Sequence, residues 1–387
     1  MTGAARVTTR GLGRALLARQ HLDARTPAGA VDEVAHLVAL QSQNPSSAYL
    51  ALHARVAGFD HADLATAMLG RRVGRLALLR DTVHLVTADD ALTLWPLLAP
   101  VLRRHVRSGT SSAADLRDVD LDDLASAGRE ALAGEPLTAA ALGARLGPRW
   151  PGVDPRSLAT GVRGLLPLVQ VTPRGVWGRS LVTTWTTAEQ WFGRPVAVVG
   201  DPEAAAAALV RRYLAAYGPA TVADVQAWSG LTRLAGVVEG MRDELVEVLH
   251  ADGPRGERVL LDLPGAPLPG DVPVPVRLLP DFDDVLLGHA DRTRIVTPEV
   301  RPALASRNGV PPGTVLLDGV VAGTWRLRRE RRGGGSGTRR TPRAVVTLTP
   351  LRRWTRAERS AARAEARVLA AFAADDAVEH DAVVAGD

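Results

Sequence analysis

Two glutamines separated by a single residue, Gln41 and Gln43, are the side chains of this sequence best suited to do chemistry without a charge. An amide carbonyl orients a water molecule, and its dipole stabilises a positive charge that develops nearby, without any transfer of a proton. A pair of such amides could therefore assist a reaction that needs no general acid. The alternative is that both glutamines only cap the end of a helix.

The element predicted to carry both glutamines is an amphipathic helix over residues 28–42, because valines and leucines recur there with helical spacing. Pro45 ends this helix, since the residue before a proline is pushed out of the helical conformation. On an ideal helix Gln43 lies about 200° around the axis from Gln41. Both amides can therefore face one pocket only if the helix unwinds there.

Other candidates for chemistry are weaker. His84 lies in an apolar stretch and is predicted to be a buried packing histidine. The aspartates between residues 281 and 291 are possible magnesium ligands, but structural roles in turns and at strand ends are favoured. The nine histidines include no pair at metal-binding spacing. The sequence therefore predicts no metal and no cofactor.

Composition excludes further classes of site. The chain of 387 residues has no cysteine, and all 47 of its lysine-or-arginine positions are arginines. Disulfides, thiolate metal sites, lysine Schiff bases and lysine-dependent phosphate loops are therefore excluded. No apolar run approaches the ~18 residues of a membrane helix, and the N-terminus lacks an apolar signal segment. We therefore expect a cytoplasmic protein without a membrane partner.

Positive charge is concentrated towards the C-terminal end. Residues 325–367 contain 14 arginines and three glutamates, a surplus of +11, whereas the whole chain has a net charge of +5. Because guanidinium groups pair well with phosphate oxygens, this surplus favours a polyanionic partner. The alternative is a solvated helix and a flexible loop.

The element pattern predicts a mainly α fold with β-hairpins, arranged as three tandem winged-helix units. Each unit has the order helix, helix, helix, hairpin, over residues 1–110, 111–200 and 201–263. Residues 264–352 contain short segments rich in β-forming residues and an Asp-Gly pair typical of a hairpin turn. This pattern predicts a small β-barrel with an arginine-rich hairpin. Residues 353–387 are predicted to form a helix followed by a fraying tail.

Five segments, in this order along the chain, resemble the winged-helix DNA glycosylase family of the AlkZ and YcaQ type. The resemblance covers roughly residues 10–350, and the order of the segments makes it specific. The segments are Gln41-Ser42-Gln43-Asn44-Pro45; Leu79-Arg80-Asp81-Thr82-Val83-His84-Leu85; Gly218-Pro219-Ala220-Thr221 through Trp228-Ser229-Gly230-Leu231; Leu278-Leu279-Pro280-Asp281-Phe282-Asp283 before Asp291-Arg292; and Asp318-Gly319 before Gly323-Thr324-Trp325-Arg326.

The resemblance implies that three winged helices and a barrel form a C-shaped clamp on duplex DNA. It implies a metal-independent, monofunctional DNA glycosylase, without lyase activity, that excises bulky or cationic N-alkylpurines in the repair of alkylation damage. The family's catalytic motif is a glutamine, an aliphatic residue, and then glutamine or aspartate. It falls here on Gln41 and Gln43, and Ser42 departs from the aliphatic middle residue.

The predicted DNA-binding surface is an arginine-rich hairpin between two apolar strands. Glycines at its tip let the backbone approach DNA closely. The expected partner is duplex DNA carrying alkylated purines, bound by a monomer near the nucleoid. The alternative is a surface loop whose charge only aids solubility. The predicted DNA-binding residues are Arg328, Arg329, Arg331, Arg332, Arg339, Arg340 and Arg343.

A non-catalytic DNA-binding regulator or architectural protein is the alternative function, because winged helices usually read DNA grooves. The third unit argues against it. Its predicted recognition helix carries Arg233 and Arg242 against Glu239, Asp243 and Glu244. This net charge of −1 suits a phosphate-lined groove poorly. The glycosylase interpretation therefore depends on the motifs and not on the fold alone.

Overall fold

The structure is a computed structural model that describes residues 4–179, 181–253, 256–305, 309–332 and 341–386, with the backbone only for residues 331, 332 and 341. The α-helices of these residues are α1 (Thr9–Arg19), α2 (Ala30–His36), α3 (Pro45–Arg55), α4 (His61–Leu69), α5 (Ala88–Ser108), α6 (Leu121–Leu132), α7 (Ala139–Leu146), α8 (Pro155–Leu165), α9 (Ala188–Phe192), α10 (Pro202–Tyr217), α11 (Val222–Ser229), α12 (Leu234–Gly240), α13 (Asp284–Leu287) and α14 (Arg356–Ala373).

The strands form three sheets. They are β1 (Ala5–Val7), β2 (Leu40–Gln41), β3 (Val73–Ala77), β4 (Val83–Thr87), β5 (Leu137–Thr138), β6 (Leu168–Gln170), β7 (Thr184–Thr187), β8 (Val246–His250), β9 (Arg258–Asp262), β10 (Arg277–Leu279), β11 (Gly313–Leu317), β12 (Val320–Arg332), β13 (Thr341–Pro350) and β14 (Glu379–Val384).

Local capping signals explain where several helices begin. The side chain of Asn44 accepts a hydrogen bond from the Ser46 backbone N–H at 3.2 Å, and Pro45 occupies the first turn of α3. Asp60 begins α4 and Thr221 begins α11 with reciprocal capping boxes. The cap of α3 matters most for the site, because it fixes the end of the segment that carries both glutamines.

A six-stranded sheet joins the first two predicted units. Its order is β2-β4-β3-β6-β7-β5, and β3 and β4 form an antiparallel hairpin. Leu76 of β3 pairs with Val169 of β6, which connects the hairpin of the first unit to that of the second. The short strand β2 lies at one edge of this sheet, beside β4, and carries Gln41.

A three-stranded sheet ties the N-terminal segment to residues 246–262. Its order is β1-β8-β9, and β1 pairs with β8 in parallel. The buried guanidinium of Arg19 in α1 forms two hydrogen bonds of 2.7 Å with the carboxylate of Asp262 at the end of β9. The first helix is therefore anchored to the third predicted unit.

One hydrophobic core connects helices α1–α5 with α10–α12 and reaches strands β10–β12. Trp228, Tyr213 and Tyr217 are fully buried in it, and the two tyrosine rings stack with centroids 5.1 Å apart. The C-terminal sheet shares a second core with α14, and residues 106–168 form a third. Strands β10–β12 therefore contribute side chains to both the first and the second core.

The C-terminal sheet differs from its prediction in two ways. Its order is β10-β11-β12-β13-β14, and β10 and β14 remain its two edges within the described residues, so the prediction of a closed barrel was wrong. The tail does not fray, because β14 pairs in parallel with β13. This pairing satisfies the backbone groups of β13 and buries Ala382 and Val384.

The described fold is mixed α and β, with more sheet than the predicted mainly α class. The short strands β1, β2 and β14 account for part of the difference, since runs of two to six residues give weak sequence signals. The three winged-helix units, their boundaries and the C-shaped arrangement stay predictions. None of the helices in the described ranges is long and apolar enough to cross a membrane.

Candidate active site

The segment that carries the two glutamines leaves its helix earlier than predicted. α2 ends at His36, and Val38 adopts a left-handed backbone with a φ of 70°, which is rare for a β-branched residue. The chain then runs extended, and Gln41 pairs with His84 of β4. The prediction of a helix to residue 42 was therefore wrong, because pairing with β4 satisfies the backbone instead. The helix therefore ends before Gln41, which meets the condition under which both glutamine amides can face one pocket.

Gln41 is held from two directions and is only 7% exposed. Its side-chain oxygen Oε1 accepts a hydrogen bond from Nη2 of Arg80 at 3.0 Å. Its backbone N–H donates to Oδ2 of Asp284 at 3.2 Å. Its Nε2 group has no hydrogen-bond partner among the described residues. The side-chain carbonyl and the backbone of Gln41 are therefore both anchored, and the N–H groups of its amide remain available to water or a substrate.

Gln43 is exposed and lies against the first residue of β4. Its Oε1 accepts a hydrogen bond from the backbone N–H of Val83 at 3.0 Å, and the Val83 carbonyl accepts from Ser42 N–H at 2.8 Å. The structure thus places both glutamines at the start of β4. Each amide oxygen accepts one hydrogen bond there and keeps a second lone pair.

Ser42, between the glutamines, is fully buried and has a polar partner. The guanidinium of Arg75 donates to Ser42 Oγ at 3.1 Å through Nε and to the Ser42 carbonyl through Nη2. Its Nη1 donates to Oε1 of Gln170 in β6 at 2.8 Å. Burial, assisted by the charge of Arg174, lowers the pKa of Arg75 to about 10. A buried hydroxyl is therefore accommodated where an aliphatic residue was expected.

The turn between β3 and β4 is strained and held on several sides. Arg80 and Asp81 have φ angles of 54° and 58°, a conformation that costs on the order of 1–3 kcal/mol per residue. Arg163 of α8 donates to both oxygens of Asp81 at 3.1 Å. Arg80 donates to the carbonyl of Trp228 at the end of α11 as well as to Gln41. These tertiary contacts therefore maintain the left-handed turn and orient the guanidinium of Arg80 towards Gln41.

A carboxylate that was expected in a turn lies directly behind Gln41. Asp284 is 1% exposed, and its Oδ1 has no hydrogen-bond partner among the described residues. Burial, and then the neighbouring Asp283, raise the pKa of Asp284 to about 7, against the lowering effect of Arg80 and Arg55. Its charge therefore changes near neutral pH, close to the Gln41 backbone.

The other aspartates of this segment have structural partners. Asp283 forms a buried, bidentate pair with Arg55 of α3, with two N–O distances of 2.8 Å. Asp291 accepts from Arg258 at 2.8 Å, and Asp281 accepts from a serine hydroxyl of α3. Over the ranges that the structure describes, no group of three or more histidine or acidic side chains is arranged to hold a metal ion.

His84 is buried beside Gln41 and stays neutral. Its Nδ1 lies 2.9 Å from the Thr82 carbonyl, to which it donates. Burial, followed by the charge of Arg80, lowers the pKa of His84 to about 3. The ring therefore packs, as expected from the sequence, and supplies no acid at neutral pH.

The predicted hairpin arginines have different surroundings. β12 and β13 pair antiparallel from Gly323 to Arg332, as predicted. The side chain of Arg328 is 80% exposed. Arg329 pairs with Asp376, and Arg343 pairs with an aspartate of β14. The remaining predicted residues are Arg331 and Arg332, described only as backbone in β12, and Arg339 and Arg340, which lie outside the described residues.

Comparison with known proteins decides the family. A family model for AlkZ-like DNA glycosylases matches residues 34–372, most of the chain. The chain belongs to the AlkZ-like DNA glycosylase family. The resemblance found in the sequence motifs is thereby confirmed, and family membership makes the chain a DNA-binding enzyme of DNA repair.

Individual relatives agree with this assignment. The interstrand DNA cross-link repair glycosylase of Streptomyces sahachiroi is 28% identical over 322 residues, which cover 80% of this chain and 85% of the relative. The solved structure of the S. sahachiroi DNA glycosylase AlkZ has a TM-score of 0.80 at 24% sequence identity, covering 98% of this chain and 100% of that one. The two chains therefore share one fold.

The sequence does not assign Arg75 or Arg80 to this site, and for Asp284 it predicts a structural role in a turn or at a strand end, with magnesium binding as the alternative. Arg80 lies inside one of the five segments that resemble the family, and Asp284 directly follows another. Their closeness to these segments is the sequence feature that could have identified them. The contacts of all three residues with residues 41 and 42 span 33 to 243 positions along the chain. No local spacing reveals such contacts.

The raised pKa of Asp284 predicts a pH-dependent contribution to stability. In an unfolded chain an aspartate has a pKa of about 3.9, so between about pH 4 and 7 only the folded form holds the proton. The stabilisation from this proton is present at low pH and is lost as pH rises through about 7. Asp284→Asn removes the titration. Its free energy of unfolding, relative to wild type, should rise by up to about 1.4 kcal/mol per pH unit over that range.

Urea unfolding at pH 5, 6, 7 and 8 measures this difference. The control is Asp118→Asn, because Asp118 is exposed and has no side-chain hydrogen bond or ion pair among the described residues, and its replacement should give a nearly constant difference. If the free energy of unfolding of Asp284→Asn differed from that of wild type by the same amount at every pH, the prediction that Asp284 is protonated in the folded protein would be wrong.

Proposed function

We propose that this protein is a monofunctional DNA glycosylase that hydrolyses the N-glycosidic bond of bulky or cationic N-alkylpurines, alkylated at N7 or N3, in duplex DNA. The observation that carries the proposal is the pair of neutral amides, Gln41 and Gln43, held at the start of β4 in an AlkZ-like chain. The cross-link repair activity named for the S. sahachiroi relative supports an extension to unhooking of cross-links. The enzyme acts as a monomer, without a metal.

The chemistry of the substrate explains why neutral amides are sufficient. Alkylation at N3 or N7 places a positive charge on the purine, so the electron pair of the breaking C–N bond neutralises the leaving base. No general acid is needed. The remaining tasks are to stabilise the developing sugar cation and to direct water to the anomeric carbon. The free lone pairs of the Gln41 and Gln43 carbonyls can do both.

The same arrangement limits the range of substrates. His84 is neutral at physiological pH and Asp284 lies behind the backbone of Gln41, so neither is placed to protonate a normal purine. Sugar hydrolases that act on poor leaving groups use a pair of carboxyl groups for this purpose. A site with two amides therefore favours bases that are already good leaving groups, and unmodified purines stay intact.

Gln41→Ala and Gln43→Ala should each slow base release by at least tenfold. A missing positioned dipole costs about 2.7–4 kcal/mol where the comparison with oxyanion holes applies. Single-turnover release from duplexes carrying N7-alkylguanine is the measurement. Gln190→Ala, which removes a hydrogen-bonded amide in a distant helix, is the control and should retain the wild-type rate.

Wild-type rates in both variants would exclude these glutamines as catalytic residues. Binding of the same duplexes without any base release by the wild-type protein would favour the alternative, a non-catalytic DNA-binding protein.

Product and cofactor requirements give a second test. The chain has no lysine for a Schiff-base intermediate, so the reaction should stop at an abasic site. Borohydride treatment during turnover should trap no covalent complex, and EDTA should leave the rate unchanged. A trapped adduct would contradict the monofunctional mechanism, and loss of activity with EDTA would contradict metal independence.

The arginine-rich hairpin is proposed to bind the DNA backbone. Removing residues 331–341 and joining the strands by a short turn keeps the ion pairs of Arg329 and Arg343, which lie outside the deletion. Affinity for duplex DNA should fall, and the dependence of log K on log salt should flatten by about 0.9 for each phosphate that the hairpin neutralises. Fluorescence anisotropy across a salt series measures both.

A full-length variant with serine at residues 331, 332, 339 and 340 separates charge from loop length and should reproduce the weaker binding. Its melting temperature should stay near that of wild type. Unchanged affinity and salt slope in a folded deletion variant would show that the hairpin only aids solubility.

A further inference from the structure

A cavity of about 680 Å³ beside the start of α11 has two arginines in its wall that lack an acidic partner among the described residues. Its walls include Arg258, Arg292, Thr293 and Arg301. Arg292 and Arg301 also line a neighbouring, mostly apolar cavity of about 230 Å³, beside Phe282. The two arginines therefore lie where a cationic cavity meets an apolar one.

The acidic side chains of the larger cavity already have partners in the fold. Asp291 accepts hydrogen bonds from Arg258 Nη2 at 2.8 Å and from the Thr293 hydroxyl at 2.7 Å. Asp224 accepts from the backbone N–H and the hydroxyl of Thr221 at 2.8 and 2.7 Å, in the capping box of α11. Neither carboxylate forms an ion pair with Arg292 or Arg301 among the described residues, and the three arginines of the wall outnumber its two aspartates.

Arg292 and Arg301 are exposed, and within the described ranges neither guanidinium has a hydrogen bond or an ion pair. Although part of the Arg292 side chain is exposed, its partial burial, and then the positive charges of Arg301 and Arg80, lower its pKa. Like charges held together without a counter-charge create a local potential that attracts an anion.

Helix α11 links this cavity to Arg80. Thr221 and Asp224 at its start line the cavity, and the carbonyl of Trp228 near its end accepts a hydrogen bond from Arg80, which also donates to Gln41 Oε1 at 3.0 Å. Only about 10 Å of helix separates Thr221 from Trp228. In a DNA strand every sugar is flanked by phosphates on both sides. A strand whose sugar reaches Gln41 must therefore bring a phosphate close by, and the guanidinium fork matches phosphate oxygens in a bidentate manner.

We propose that Arg292 and Arg301 form a phosphodiester-binding site for the DNA strand that enters the Gln41 site. This deepens the proposed function and rests on it in two respects: DNA is the ligand, and Gln41 is the place that its sugar reaches. The apolar cavity beside the two arginines reduces their hydration and strengthens the contact. The site is separate from the arginine-rich hairpin and acts next to the scissile bond.

The test is equilibrium binding of the full-length protein to an undamaged, fluorescein-labelled duplex across a series of salt concentrations. The Arg292→Ser/Arg301→Ser double variant should bind roughly tenfold more weakly near physiological salt. Its plot of log K against log salt should flatten by about 1.8, since two phosphates are no longer neutralised. Its melting temperature should match wild type, because neither side chain makes a hydrogen bond in the described part of the fold.

Arg104→Ser/Arg117→Ser is the matched control. It removes the same charge from two exposed arginines outside the proposed site, which have no ion pair among the described residues, and it should bind almost as wild type. Equally weakened binding in both double variants would overturn the proposal in favour of an effect of net charge. Unchanged binding in the Arg292/Arg301 variant would overturn it directly.

Two further arms complete the test. Arg292→Lys/Arg301→Lys keeps both charges, so it should retain the salt slope and lose less affinity than the serine variant. This variant also allows the proposal to be tested if the serine variant does not fold. If inorganic phosphate raises the melting temperature of wild type but not of the serine variant, while DNA binding is equal, the site binds free phosphate and the DNA assignment fails. Because undamaged DNA is the probe, absence of base release would disprove the proposed function without affecting this result.

Discussion

The hydrogen bond between Arg80 and the carbonyl of Gln41 is the interaction on which the rest of the site depends. It requires two consecutive residues in a left-handed conformation, which the fold maintains through Arg163 and the carbonyl of Trp228. Because those contacts come from α8 and α11, the second and third predicted units both determine the orientation of an amide that belongs to the first. The scaffold is therefore part of the site, although it supplies no reacting group.

The neutral amides of Gln41 and Gln43 lie at the start of β4, and ionisable groups lie behind or beside them. The Arg55–Asp283 pair is fully buried and satisfies its own charges. Asp284 lies behind the Gln41 backbone, where burial favours its protonated form. A full negative charge close to the sugar would stabilise its cation more strongly, but a cationic base needs less assistance. Under the proposed function, two neutral amides are therefore sufficient for an N-glycosidic bond that breaks easily.

Much of the fold follows from local signals, and the site follows from them only in part. Proline and capping residues predict the starts of α3, α10 and α11, and the Asp-Gly turn predicts the β11–β12 hairpin. The end of α2 is not predictable in this way, because strand pairing with β4 overrides the helical pattern around Val38. The contact of Gln41 with Asp284 spans 243 positions and has no periodic signature. The glutamine pair itself is identified by residue type and motif order.

The parallel pairing of β14 with β13 has a consequence for how this enzyme can diverge. It places β13 inside the sheet, with hydrogen-bonded neighbours on both sides, so the base of the arginine-rich hairpin is braced by the last strand of the chain. An element anchored in this way can change in length at its tip without altering the sheet or the buried glutamine segment. Hairpin length and charge are therefore free to vary independently of the segment that carries Gln41 and Gln43. Under the proposed function, this separates the evolution, or the engineering, of DNA affinity from that of base release.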